Sequence, residues 1–284
     1  MLEKLYSIYK ESFPGYPVSK DAFHYSLKPD YAQLFRKYHK DKLIGYCIVS
    51  GGAVTMLCVS PHYRNKGIGS ELLSQAEKYI AKQNRTRITL GRGCENYLLQ
   101  GVPTENEGAV EFFKKRGYSS DLVSVNMTLK MGDFCPERLT IPPCGNVNFR
   151  LAEKREEAAV CEAVSKVAED WVCYFKDSDE DCLIAEKNGV ICGFQLLSAD
   201  GGLFKKPHEK LGSIGCVGVI PEARKQGIGL QMVMAGANLL KNQGCTGIEL
   251  RYVELVDWYG RLGFIADKKM WMGEKTIGEN VDSL

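Results

Sequence analysis

Two stretches, PHYRNKGIG at residues 61–69 and PEARKQGIG at residues 221–229, share a leading proline, an arginine at the fourth place and a closing Gly-Ile-Gly. Each follows an apolar run and opens a helix-like pattern. A strand that enters a glycine-containing loop and then a helix makes an anion site, because the helix start presents unpaired N–H groups and the positive end of its dipole. Gly67 and Gly69, or Gly227 and Gly229, let backbone amides approach a phosphate without a side chain in the way. Arg64 and Lys66, or Arg224 and Lys225, add charge. The implied ligand is a phosphate or pyrophosphate. Neither copy has the G-x-x-x-x-G-K-[ST] or the G-x-G-x-x-G spacing, and no acidic residue stands where a ribose partner would, so nucleotide hydrolysis is disfavoured.

Aligning Arg64 with Arg224 brings strand, loop and helix into the same order in both halves, which indicates duplication of a domain rather than a solenoid. A chain of 284 residues fits two domains. The proline-bearing stretch MGDFCPERLTIPPCGNVNF separates them, and the expected division is 1–140 and 141–284. Composition is that of a globular chain whose 37 basic and 35 acidic residues nearly cancel, giving no whole-chain case for nucleic acid or an anionic membrane. No apolar run reaches the ~20 residues of a membrane span, and the N-terminus alternates charged with apolar residues, unlike a signal peptide. Eleven cysteines lie scattered through apolar segments without a C-x-x-C pair, as buried thiols of a reducing compartment would. The expected location is cytoplasmic. His24, His39, His62 and His208 stand far from one another and from any cysteine pair, so no metal site is expected.

In the first half, LIGYCIVSG and AVTMLCVS read as adjacent strands joined by Ser50-Gly51-Gly52. The next segment repeats Leu72, Leu73, Ala76 and Ile80 at helical spacing, with Ser70 as a candidate N-cap and Asn84 as its end. RITLG is then a strand and NEGAVEFFKKRGY a helix closed by Gly117. The second half repeats this order through GSIGCVGVI, a helix, GIELRY and LVDWYGRLGF. Mixed strands and helices with early hairpins point to the α+β class.

R-x-x-G-x-G after a strand ending in Val-x-Pro resembles the acetyl-CoA pyrophosphate loop of the GNAT acyltransferase superfamily, here as VSPHYRNKGIG and VIPEARKQGIG. Both halves also carry an aromatic helix before Gly-aromatic, EFFKKRGY and DWYGRLGF. The resemblance implies two tandem GNAT-like domains, each a mixed, mostly antiparallel sheet flanked by helices. It implies acetyl-CoA as cofactor, held by Leu57, Val59, Arg64, Lys66, Gly67, Ile68, Gly69 and Ser70 in the first half. In the second half the matching residues are Val217, Val219, Arg224, Lys225, Gln226, Gly227, Ile228, Gly229 and Leu230. The pantetheine arm would run along Leu57 to Val59 or Val217 to Val219, where a backbone N–H polarises the thioester carbonyl.

That superfamily's usual proton donor to the departing thiolate is a tyrosine before the closing turn. Matching the two halves sets Phe113 opposite Tyr259, and only a phenol has a proton to give. The expectation is therefore a catalytic C-terminal half, with Tyr259 as general acid, and a degenerate N-terminal half, whose intact Arg64, Gly67 and Gly69 leave open whether it binds acetyl-CoA without turning it over. The first half's connection GCENYLLQGVPTENEG is longer than its counterpart and would either cover its own cofactor site or pack on the other domain. For the acceptor, the stretch EDWVCYFKDSDEDC offers Glu169, Asp170, Asp177 and Asp179 to attract a cationic amine, and Trp171 or Tyr174 to stack on a sugar or alkyl face. The tandem layout is similar to bacterial glucosamine and glucosaminide acetyltransferases, and mycothiol synthases share it. The leading expectation is direct acetyl transfer to a small primary amine such as an amino sugar. The alternatives are transfer to a protein N-terminus or lysine, and a non-catalytic acetyl-CoA-binding module.

Overall fold

Gly51 and Gly52 carry φ of 56° and 86°, the two left-handed residues that a two-residue hairpin turn requires. They join the strand Lys42–Ser50 to the strand Ala53–Val59 in a computed structural model that describes residues 1–28, 32–92 and 97–277. The chain forms two compact units, and neither is a continuous segment. One comprises 1–124, 204–207 and 268–284, the other 125–203 and 208–267. The division expected near residue 140 cuts the sequence into its two repeats; the compact units instead exchange terminal strands, because the chain leaves the first unit after Ser124, within the strand Val123–Lys130, and re-enters it at Lys268, within the strand Ile265–Trp271.

The first unit contains α1 (Leu2–Ser12), α2 (Lys20–Tyr25), β1 (Gln33–His39), β2 (Lys42–Ser50), β3 (Ala53–Val59), α3 (Ile68–Ala81), β4 (Arg87–Leu90), β5 (Val102–Pro103) and α4 (Glu107–Lys114). Its sheet runs β1-β2-β3-β4 and is completed by β13 (Glu274–Thr276), which pairs antiparallel with β4. Only β3 and β4 are parallel, over Ala53↔Thr89 and Val54↔Leu90, after which the two strands separate. Helix α3 turns Leu72, Leu73, Ala76 and Ile80 onto this sheet, each almost wholly buried. Each buried leucine there contributes about 1.5–3 kcal/mol of transfer free energy.

The second unit takes β6 (Val123–Lys130), β7 (Asn148–Leu151), α5 (Glu157–Ser165), α6 (Val172–Phe175), β8 (Asp181–Lys187), β9 (Val190–Ser198), β10 (Leu211–Val219), α7 (Ile228–Asn242), β11 (Gly247–Leu250), α8 (Val256–Gly260) and the start of β12 (Ile265–Trp271). Its strands run β6-β11-β10-β9-β8-β7. The same plan recurs: β10 and β11 are parallel over Leu211↔Gly247 to Ser213↔Glu249 and then part. Each unit is thus a mixed, mostly antiparallel sheet flanked by helices, as expected.

One local expectation is corrected. Ser70 does not cap α3; the N-cap is Gly67 at φ 82°, and the helix ends at Ala81 rather than at Asn84. A left-handed residue is needed to turn the loop into the helix, and Ser70 falls inside the first turn.

Candidate active sites

The two repeated loops fold alike. Arg64 and Arg224 each turn Nε back onto the carbonyl of the last strand residue, Val59 at 2.9 Å and Val219 at 3.0 Å. Asn65 and Lys225 follow with φ of 58° and 60°, and Gly67 and Gly227 with φ of 82° and 80°. Neither α3 nor α7 receives a side-chain cap at its first residue. The first helical N–H groups therefore stay available, in a concave run of backbone amides of the kind that binds anions. The arginines brace this loop. Lys66 leans back on the carbonyl of His62 at 3.1 Å.

The second glycine of each loop has a different reason from the first. A Cβ on Gly69 would meet the Phe112 ring at 3.4 Å, and one on Gly229 would meet Trp258 at 3.0 Å. The absent side chain lets the aromatic of the last helix seat on the loop, so this glycine serves packing as much as phosphate approach.

In the first unit the loop opens into a cleft of about 750 Å³, within the size range of small-molecule sites. It is lined by Leu57 and Val59 of β3, by Leu90 of the neighbouring β4, and by Leu99, Gly101 and Val102. The long connection thus lines its own site; its residues 93–96 lie outside the described ones. Register between β2 and β3 slips after Ile48↔Met56, so that Thr55 is the extra residue of a bulge beside the cleft. No neighbouring atom stands within 4 Å of a Cβ placed on Gly67. Uncapped amides, an accessible loop and a cleft along a bulged strand make a site whose loop residues Arg64, Gly67, Ile68, Gly69 and Ser70 suit an anion and whose strand residues Leu57 to Val59 suit an extended chain.

The second unit's loop carries a cover. A Cβ on Gly227 would lie 2.8 Å from the carbonyl oxygen of Pro142 and 3.0 Å from that of Pro143, and Gln231 Nε2 donates to the Pro142 carbonyl at 3.0 Å. Gln226 is held by Lys187 at 2.7 Å. Carbonyl oxygens over the loop oppose an incoming diphosphate, so this loop fits the cofactor only after residues 142–143 move aside. Leu139, Ile141 and Cys144 pack on the same unit's core and hold the segment there.

Further along β10 the ladder resumes at Gly218↔Phe194 after Gly215↔Leu196, leaving Cys216 and Val217 opposite Gln195. Cys216 adopts φ 48°, a strained value for a residue with a side chain. Tyr259, from α8, stands close enough for the two to interact electrostatically. Burial, reinforced by Cys216, pushes its phenol up to about 12. Its hydroxyl makes no hydrogen bond among the described residues, and the ring packs edge-on against Trp258 at 4.7 Å. Burial, then Glu180, Cys173 and Asp170, pushes the Cys216 thiol up to about 11. A thiol so protonated is no nucleophile.

Of the expected acceptor residues, Glu169, Asp170 and Trp171 form one short turn that leads into α6. Asp170 reaches the field of Cys216, Trp171 packs into the cluster around Phe175, and Tyr174 is 58% exposed. Asp177 instead donates its backbone N–H to Glu157. Glu180, absent from the expected set, has its carboxyl raised by partial burial, with Arg251 opposing. In the first unit, sequence reading missed Ser12, Phe13, Thr55, Asn106, Phe112 and Arg116, all lining the cleft. Asn106 had a legible signal, since its side chain caps α4 by accepting from Ala109 N–H at 3.2 Å. The others depend on which strand and helix faces meet, and no local pattern carries that.

Among the described residues no helix is long and apolar enough to cross a membrane, and no three potential metal ligands cluster. A family model described as the acetyltransferase (GNAT) family matches residues 2–118 and 149–264. A mycothiol acetyltransferase of Arthrobacter sp. (strain FB24) is 25% identical over 264 residues, covering 83% of this chain and 76% of that protein. One of Paenarthrobacter aurescens (strain TC1) is 31% identical over 235 residues, covering 75% of this chain and 67% of its own length. Among solved structures, a glucosamine N-acetyltransferase region of a fungal multi-domain GH3 β-N-acetylglucosaminidase superposes with a TM-score of 0.79 at 21% identity, over 96% of this chain and 36% of that one. A tandem GNAT protein from the clavulanic acid biosynthesis pathway superposes with a TM-score of 0.72 at 16% identity, over 98% and 95% of the two chains.

Proposed function

Because the chain belongs to the GNAT acetyltransferase family and is built as a tandem of its fold, we propose that it moves an acetyl group from acetyl-CoA directly onto a small primary amine, with an amino sugar as the leading acceptor. The observation that carries the cofactor side is the first unit's cleft, which runs from uncapped loop amides to the bulge at Thr55. Bound acetyl-CoA supplies the activated acetyl group. The chain's residues orient it: loop amides take the diphosphate, and the bulged strand turns backbone N–H groups toward the place where oxyanion charge develops. The amino-sugar assignment draws on relatives named for mycothiol and glucosamine acetyl transfer. The reading as a protein of a reducing, cytoplasmic compartment draws on cysteines that are all free thiols among the described residues.

A second reading places the chemistry in the second unit, and Tyr259 favours it. Its hydroxyl is unbonded, stands beside the strained bulge at Cys216 and remains protonated at every physiological pH, as a donor to a thiolate must. This route requires residues 142–143 to leave Gly227.

Thiol release from acetyl-CoA, measured with glucosamine, polyamines, aminoglycosides and a lysine peptide on wild type, Arg64→Ala, Arg224→Ala and Tyr259→Phe, separates the two. If the first unit turns over, Arg64→Ala raises KM for acetyl-CoA about ten-fold or more and Tyr259→Phe leaves kcat unchanged. If the second does, Tyr259→Phe lowers kcat by about 10²-fold or more. In that case the alkaline limb of the wild-type rate cannot come from Tyr259 below pH 11, because its raised pKa keeps the donor form to about 12. Acetyl-CoA binding without thiol release against any amine would replace both readings with a non-catalytic module.

A further inference from the structure

Arg116, just beyond α4, lines the first unit's cleft and is held there by two neutral oxygens. Its Nη1 donates to the Phe112 carbonyl at 2.6 Å and its Nη2 to Ser70 Oγ at 2.5 Å. The guanidinium stands over the Phe112 ring, Cζ 3.6 Å from its centroid. These contacts use two of five N–H donors and none of the charge. No carboxylate pairs with it among the described residues, although it is partly buried. A cation fixed in this way, without a counter-charge, costs desolvation and side-chain entropy that an anionic ligand would offset.

Its position specifies the anion. Ser70 is the third residue of α3, so the guanidinium borders the loop amides without standing over Gly67. Coenzyme A carries its 3′-phosphate one ribose from its diphosphate, so a diphosphate on those amides would leave that second anion to the bordering guanidinium. The matching place in the second unit is Leu262, a core residue 1% exposed, so the cation belongs to one repeat alone.

We propose that Arg116 binds the ribose 3′-phosphate and makes the first unit's cleft selective for coenzyme A thioesters over their 3′-dephospho forms. The inference rests on the acyl-CoA reading of that cleft. Calorimetric titration of the full chain with coenzyme A and with 3′-dephospho-coenzyme A, on wild type, Arg116→Met and Arg116→Lys, tests it. Wild type should bind coenzyme A about ten-fold or more tighter, the gain of one charge-assisted contact. Arg116→Met should bring that ratio close to one without changing the dephospho-ligand's affinity, and Arg116→Lys should keep part of it. One molecule per chain is expected while residues 142–143 cover the second loop. An unchanged ratio in Arg116→Met, or an equal loss for both ligands, overturns the assignment, the latter placing Arg116 on the diphosphate. Wild type binding neither ligand overturns the acyl-CoA reading itself, and a ligand-free melting temperature shows whether Arg116→Met remains folded.

Discussion

At the scale of single residues, the first glycines of the two loops share a backbone conformation and differ in surroundings. Gly67→Ala has room for its Cβ and strains only the left-handed φ, a cost of about 1 kcal/mol. Gly227→Ala adds a collision with the carbonyls of Pro142 and Pro143 and should cost about 2–3 kcal/mol. Denaturant midpoints of the two variants check the ordering. Equal costs would mean that residues 142–143 do not rest on the second loop in solution. The sequence showed these glycines as equivalent, because the contact comes from a segment about 85 residues earlier in the chain.

At the scale of elements, the two loops leave helix starts uncapped, and a helix without caps is held by its packed face. Leu72 of α3 is wholly buried against β2 and β3, so Leu72→Ala should lower stability by about 2–5 kcal/mol. A fall in the urea midpoint at constant slope is the expected result, and a shift under 1 kcal/mol would place α3 outside the cooperative unit. The helical face was legible in Leu72, Leu73, Ala76 and Ile80, since one period of 3.6 places all four on one side. The bulges at Thr55 and Cys216 were not. A bulge is a mismatch between two ladders, and no property of Thr55 or Cys216 alone announces it.

At the scale of the whole molecule, the repeats in sequence and the compact units in space divide the chain differently. A fragment 1–140 would lack β13, whose Glu274, Lys275 and Thr276 pair with Thr89, Ile88 and Arg87 of β4. It would leave that strand's edge bare. The fragment should therefore show no cooperative thermal transition alone and regain one when mixed with 141–284. Independent cooperative unfolding of 1–140 would show that the returning segment is dispensable.

The sequence by itself determined the duplication, the α+β class, the repeated glycine loop in each half and the difference between Phe113 and Tyr259, because each is written in residues a few positions apart. Tertiary structure decided which loop stands open and which lies under Pro142 and Pro143, that Arg116 lines the first unit's cleft while Leu262 joins a core, and that terminal strands return to the other repeat's sheet. These outcomes depend on contacts between segments remote in sequence, whose pairing is set by packing of the whole fold and not by any local propensity.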